Sequence, residues 1–374
     1  MKQIIVQCGG ESVRAALIED GRLAEYYYER SDRRRAGNIY KGKVMNVLPG
    51  MQAAFVDIGT EKNAFLHIGD VLPAAMHHRP EETPSISSVL TPGQTLLVQV
   101  AKEAVGAKGA RVTTHYTLPG RSLVYMPQAD YVGISRKIES ERERSRLKDI
   151  GETIRRPGEG LIIRTVATGE ARNTLERELE SLRETWVSIR AQAERQPAPS
   201  LIYREPDMLP RIARDLVADD IDEIILDAED KKREMAALLS EISPHWTGRL
   251  KVHAGEKPLL EFYGVHDELG RMFRRKLWLN SGAYLVVERT EALTVIDVNT
   301  GKYTGSVNLE ETVFETNLEA AAEIARIIRL RDLSGIILID FIDMEEEEHR
   351  QRIADELERL FKKDRTKTLV VGWT

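Results

Sequence analysis

Two aspartates close apolar runs that read as β-strands: Asp297 in Leu293-Thr294-Val295-Ile296-Asp297-Val298-Asn299, and Asp340 after Ile336-Ile337-Leu338-Ile339. Side chains of a strand alternate between its faces, so Val295, Asp297 and Asn299 share one face and the Asn299 amide projects beside the Asp297 carboxylate. Two carboxylates and an amide in one place make an oxygen-rich site suited to a hard cation such as magnesium. Metal-assisted hydrolysis of a phosphodiester needs only carboxylates, a cation and a water, and that set is present. One aspartate after an apolar strand is often just the first residue of a loop. Two at matched strand ends, with an amide alongside, make a site; Asp343, three residues past Asp340, is either a supporting group or plain surface.

The elements between the aspartates must bring them together. Asn308 and Glu310 open a helix whose apolar positions Val313, Leu318, Ala321, Ile324, Ile327 and Ile328 fall on one face, and Ser334-Gly335 closes it. Strand, helix and strand form a crossover, so the two strands run parallel and present Asp297 and Asp340 at the same sheet edge. The loop Thr300-Gly301-Lys302-Tyr303-Thr304-Gly305 is suited to cradling a phosphate, yet the chain has no G-x-x-x-x-G-K-[ST] and no G-x-G-x-x-G motif. ATP binding is not indicated, and scattered histidines with a lone Cys8 assemble no nucleophile triad.

Upstream the texture changes. Residues 3–29 read as a strand meander with an Asp20-Gly21 hairpin turn, and Gly37 to about Thr114 as short strands of a small β-barrel, interrupted by a mobile loop over His77 to Pro92. On an open oligonucleotide-binding barrel, exposed aromatics stack on bases and cations track phosphates, a scheme that Phe55 and Phe65 with Lys41, Lys43 and Lys108 fit. Residues 119–170 form a mixed segment with strands at Leu123 to Met126 and Leu161 to Thr165, followed by a polar helix from about Glu170 to Gln196 with Leu182 and Trp186 on its apolar stripe. Arg164-Thr165, at the end of an apolar strand, offers a guanidinium beside a hydroxyl, which suits a terminal phosphate. After Pro210 the rhythm is α/β, with a strand over Asp222 to Asp227 and a helix around Phe262 to Arg275.

The 374 residues carry 54 Lys+Arg and 60 Asp+Glu, a formal net charge of −6. Taken whole, that balance argues against a nucleic-acid partner, but the charges are segregated. Arg30, Arg33, Arg34, Arg35, Lys41 and Lys43 face only Asp32, and Arg271, Arg274, Arg275, Lys276 and Arg289 face only Glu288, while acidic residues concentrate in Asp215 to Glu234 and Glu345 to Glu348. A phosphate-binding surface is compatible with an acidic whole when the charges are sorted in space. No run of 18 apolar residues exists, which argues against a membrane span, and the single cysteine fits a reducing cytoplasm.

These pieces occur together in one family. The whole chain resembles the catalytic half of the ribonuclease E/G family, through GNIYKGKV (37–44), AAFVDIG (53–59), KGARVTT (108–114), LVYMP (123–127), GISRKIE (133–139), EALTVIDVNTG (291–301) and TNLEAAAEIARIIRLRDLSGIILIDFIDM (316–344). The resemblance implies a magnesium-dependent endoribonuclease that cuts single-stranded RNA and leaves 5′-monophosphate and 3′-hydroxyl ends. It casts Asp297 and Asp340 as the magnesium-binding catalytic carboxylates, with Asn299 hydrogen-bonding at the scissile phosphate. Phe55, Phe65 and Lys108 would contact RNA, and Arg164 and Thr165 would grip a 5′-monophosphate in a pocket lined by Gly120 and Val124.

The implied fold is α/β with several subdomains. An RNase H-like subdomain (1–35 and 213–278) would carry an inserted S1-like (OB-fold) barrel (36–118) and a 5′ sensor (119–212), with a DNase I-like catalytic subdomain after them (279–374). Family members continue into a Cys-x-x-Cys zinc link joining two protomers; this sequence ends at Thr374 without those cysteines, so zinc and the homodimer or higher oligomer expected of the family are weakened expectations. Two other readings stand beside this one: a non-catalytic RNA-binding module with structural carboxylates, and a metal-dependent deoxyribonuclease.

Overall fold

The computed structural model describes every residue except 31–33, 72–83, 105, 107, 243, 302–307 and 374; the side chains of 241, 242, 244, 245 and 247 are also undescribed. The chain divides into two compact units, Met1–Tyr28 with Asp219–Thr374, and Glu29–Ala218. It is a mixed α/β protein with several sheets, one closed into a barrel.

The first unit holds two sheets. One runs in the order Leu250–Val252, Glu223–Leu226, Lys2–Gly9, Ser12–Glu19, Arg22–Arg30. Asp20 and Gly21, at φ 50° and 78°, make the expected hairpin turn, because two successive left-handed residues match the strands' twist. The other sheet runs Lys276–Trp278, Tyr284–Arg289, Leu293–Asn299, Ile336–Asp340. Its first three strands are antiparallel neighbours; the last is parallel to the third, as the crossover requires.

The crossover helix is Leu309–Leu330, and the sequence specifies both ends. The Asn308 side chain accepts a hydrogen bond from the Glu311 N–H at 2.7 Å, acidic Glu310 and Glu311 occupy the first turn, and Arg329 the last, each complementing the helix dipole. Val313, Ala321, Ile324, Ile327 and Ile328 are buried in one core with Leu285, Val287, Ile296 and Val298 of the sheet. Val286, Asp297 and Asn299, on the alternate positions, are only half-buried, and Lys276, Leu338 and Asp340 are exposed. One sheet face is therefore core and the other is open. The helix expected around Phe262 to Arg275 is instead two short ones, Leu259–Phe262 and Val265–Met272, parted by Gly264 at φ 64°, a left-handed conformation no helix continues through.

In the second unit, Ile39–Leu48, Ala53–Asp57, Ala64–His67, Arg111–Thr113 and Thr95–Lys102 pair in that order, and the last pairs with the first, closing a five-stranded barrel. Ser200–Tyr203 adds to the edge of Ile39–Leu48. Gly42 permits the closure: a Cβ there would lie 2.5 Å from a methyl of Val56. Val44, Val56, Leu66, Val98, Val100 and Val112 fill the interior. Much of the loop expected at His77 to Pro92 falls outside the described residues, but its end is not loose, since Ile86–Val89 is a helical turn and Ile86 and Leu90 are buried in the barrel core.

A four-stranded sheet ordered Val132–Ile134, Gly160–Ile163, Leu123–Met126, Leu118–Pro119 completes the unit with helices Glu141–Ile154 and Arg172–Arg195. Leu123, Tyr125, Leu161, Ile163, Leu175, Leu179 and Trp186 pack between them. The strand expected to reach Thr165 stops at Ile163, because Thr165–Ala167 turns into a short 3-10 helix.

Candidate active site and nucleic-acid interface

Asp297 and Asp340 are directly paired in the parallel ladder. Neighbouring strands lie about 4.8 Å apart, so the two carboxylates rise side by side from the open face. Asn299 stands two residues along on that face and donates from Nδ2 to Asp297 Oδ2 at 2.7 Å. An amide nitrogen has two hydrogens, so one remains for a substrate oxygen. The loop beyond is held from the core side: buried Asn317, on the crossover helix, donates to the Ile342 carbonyl at 2.8 Å and accepts the Ile342 N–H at 3.1 Å. The phosphate-cradling loop expected after Asn299 lies, from Lys302 to Gly305, outside the described residues.

Among the described residues there is no cluster of three or more His, Cys, Asp or Glu side chains arranged to hold a metal. Two carboxylates alone suit magnesium, which keeps most of its waters and takes one or two protein carboxylates. Cys8 supplies no thiolate alternative, since burial pushes its thiol up to about 11.

On the barrel, Phe55 and Phe65 are direct cross-strand partners with ring centroids 6.0 Å apart and planes at 68°. Both are half-buried on the outer alternation, while Ala54, Val56, Ala64 and Leu66 point inward. Lys43 is exposed and pairs with Asp57, two residues from Phe55. Lys108 is exposed just before the strand in which Arg111 pairs with Phe65. Lys41 is placed differently: its ammonium donates to the carbonyls of Ala193 and Gln196, both at 2.8 Å. Its charge closes the end of helix Arg172–Arg195 instead of lying free beside the two rings.

Arg164 Nη1 donates to the Gly120 carbonyl at 2.6 Å and to Asp215 at 2.7 Å. Thr165 is exposed, with its hydroxyl 2.8 Å from that of Ser135. Val124 pairs with Ile162 one strand over. Asp215, which the sequence marks only as the start of an acidic stretch, also takes two bonds from Arg214, which reaches Glu205 at 2.9 Å. Burial opposes the charge on Asp215, but the hydrogen bonds and charge of Arg214, then those of Arg164, outweigh it and hold the carboxyl below its usual range. A Cβ on Gly120 would lie 2.1 Å from a carboxylate oxygen of Glu178, which accepts the Ser122 N–H at 3.0 Å, so a larger residue there would have to displace that carboxylate.

A barrel of the oligonucleotide-binding kind and paired carboxylates at strand ends are parts from which a metal-assisted nuclease can be built. The sequence pattern of the Ribonuclease E/G family matches residues 117–374. Ribonuclease G of Haemophilus influenzae and ribonuclease G of Escherichia coli K12 are each 42% identical over the whole chain, which covers 77% of their length. Ribonuclease E of Nostoc is 36% identical over the whole chain, which covers 54% of it. The chain belongs to the ribonuclease E/G family and is an endoribonuclease. No helix among the described residues is long and apolar enough to cross a membrane.

Proposed function

We propose that the protein cleaves single-stranded RNA by magnesium-assisted hydrolysis, giving 5′-monophosphate and 3′-hydroxyl ends, and that a 5′-monophosphorylated end bound at Arg164 and Thr165 stimulates it. The observation that carries this is the in-register pairing of Asp297 with Asp340 on an open sheet face, with the Asn299 amide beside them. Asp297 and Asp340 would hold magnesium, which would supply positive charge against the negative charge that develops on the phosphate during hydrolysis. Asn299 would donate its remaining amide hydrogen to a phosphate oxygen, and its bond to Asp297 keeps that carboxylate turned toward the site.

The barrel's outer pair Phe55 and Phe65 would stack on bases while Lys43 and Lys108 meet phosphates. The subdomain scheme given by the family resemblance, with boundaries near 36, 119, 213 and 279, and the homodimer belong to the same proposal. Asp297→Asn should abolish cleavage of a fluorescent RNA oligomer while leaving its binding intact, and a DNA oligomer of the same sequence should survive. Undiminished cleavage by Asp297→Asn would sink the assignment.

A further inference from the structure

The open sheet face carries more than the carboxylates. Direct pairings run across it in one row from Lys276 to Val286, Asp297 and Asp340, and in the next from Trp278 to Tyr284 and Asn299. Directly paired residues share a face, so all of these side chains rise from the same side. Trp278 is 51% exposed, an unusual position for an indole on a charged surface. Its ring centroid lies 5.1 Å from that of Tyr284, and Lys276 Nζ sits 4.3 Å from the indole centre and 3.5 Å from the phenol centre.

We propose that Trp278, Tyr284 and Lys276 form a nucleotide subsite flanking the cleavage centre, in which a base of the single-stranded substrate stacks on Trp278 and an adjoining phosphate meets Lys276. The inference rests on the reading that Asp297 and Asp340 are that centre. At roughly 4.8 Å per strand, the tyrosine is one strand and the indole two strands from the carboxylate strand, within reach of a neighbouring nucleotide. Stacking on an aromatic accepts any base, and a cation beside it supplies the phosphate contact, the pairing that single-strand sites combine. Val286 lies between Lys276 and Asp297 and leaves a neutral floor, so a phosphate at the lysine is kept away from the carboxylates.

The test is an abasic scan. An RNA oligomer with one cleavage site is prepared as a series lacking one base at a time, and kcat/KM is measured with magnesium for the wild type, Trp278→Ala and Trp278→Phe. The wild type should lose about tenfold at one position beside the cut. Trp278→Ala should lose about tenfold on the intact oligomer and nothing more when that base is missing, while Trp278→Phe retains most of the activity. Lys276→Gln should lower the salt dependence of binding by about one phosphate.

Wild-type rates of Trp278→Ala on the intact oligomer, or the same further loss at every abasic position, overturn the subsite. So does a Trp278→Ala protein whose only change is its sedimentation, which would make the face a contact between copies. Asp297→Asn in the same assay separates the two readings. If it still cleaves, the centre is misassigned; if it is dead while Trp278→Ala is fully active, only the subsite fails.

Discussion

Asp297 and Asp340 are partners in a parallel ladder, each on the outward alternation of its strand, so their carboxylates occupy one sheet edge with no loop intervening. Their separation is set by backbone hydrogen bonding. Asp297→Asn and Asp340→Asn should each lower kcat by at least about 100-fold with RNA affinity nearly unchanged, because the amide keeps the shape and removes the charge proposed to hold a cation. Single-turnover cleavage and a binding titration on the same oligomer check this, and raising magnesium should recover part of the loss for whichever aspartate binds it less tightly.

Asn317 should matter although it touches no substrate. It satisfies both backbone groups of Ile342, two residues past Asp340, from a fully buried position. Asn317→Ala strands that N–H and carbonyl at a cost of about 1 to 3 kcal/mol. Urea unfolding measures the loss; a kcat that falls further than the unfolded fraction explains would show that the clamp also fixes where Asp340 points.

Lys41 and Lys43 should separate under salt. Lys43→Gln removes an exposed charge on the proposed RNA face and should reduce the dependence of binding on log salt by about one unit, with stability nearly unchanged. Lys41→Gln instead removes two charged hydrogen bonds at the end of helix Arg172–Arg195, costing about 1 to 3 kcal/mol in unfolding experiments, and should leave the salt slope unaltered. Phe55→Ala should weaken binding by about 1 to 3 kcal/mol, since each stacked base contributes that much.

The two lysines also mark what the sequence disclosed. Local pattern was enough for the crossover: an Asn cap, one apolar helix face and two apolar strands each ending in aspartate dictate a parallel pair, and the register follows. It was enough for the barrel too, because short alternating strands with turn residues have few other ways to bury their inner face. Pattern could not separate Lys41 from Lys43. They are two residues apart and point to the same side, and only the distant carbonyls of Ala193 and Gln196 make them different.

The pairing of Asp215 with Arg164 was invisible for the same reason, since 51 residues separate them. Trp278 and Lys276 did carry a signal, an aromatic and a cation at alternate positions. Its meaning depended on the sheet order that places them in line with Asp297. The helix at Phe262 to Arg275 was misjudged because Gly264 interrupts a pattern that is otherwise apolar and periodic.

Arg164 should set the response to the 5′ end, and pH should expose how. Among the described residues its side-chain bonds to Gly120 and Asp215 both come from Nη1, so the Nε and Nη2 edge is the one the proposed sensor would offer to a phosphate. Asp215 is held below the usual carboxylate range; its contribution is therefore fully present above the unfolded value and is lost only as pH falls through the lower folded one. Asp215 therefore stays charged between pH 5 and 8, where guanidinium groups do not titrate. Burial raises the neighbouring Glu178 carboxyl from its ordinary value, and a phosphate monoester gains its second negative charge near pH 6, so the comparison with 5′-hydroxyl RNA is what isolates the phosphate's own change. The preference for 5′-monophosphate over 5′-hydroxyl RNA should rise from pH 5 to 7 with a midpoint near 6, and Arg164→Ala should abolish both the preference and its pH dependence while activity on 5′-hydroxyl RNA persists. A preference that is flat across this range would mean that the dianion is not what Arg164 recognises.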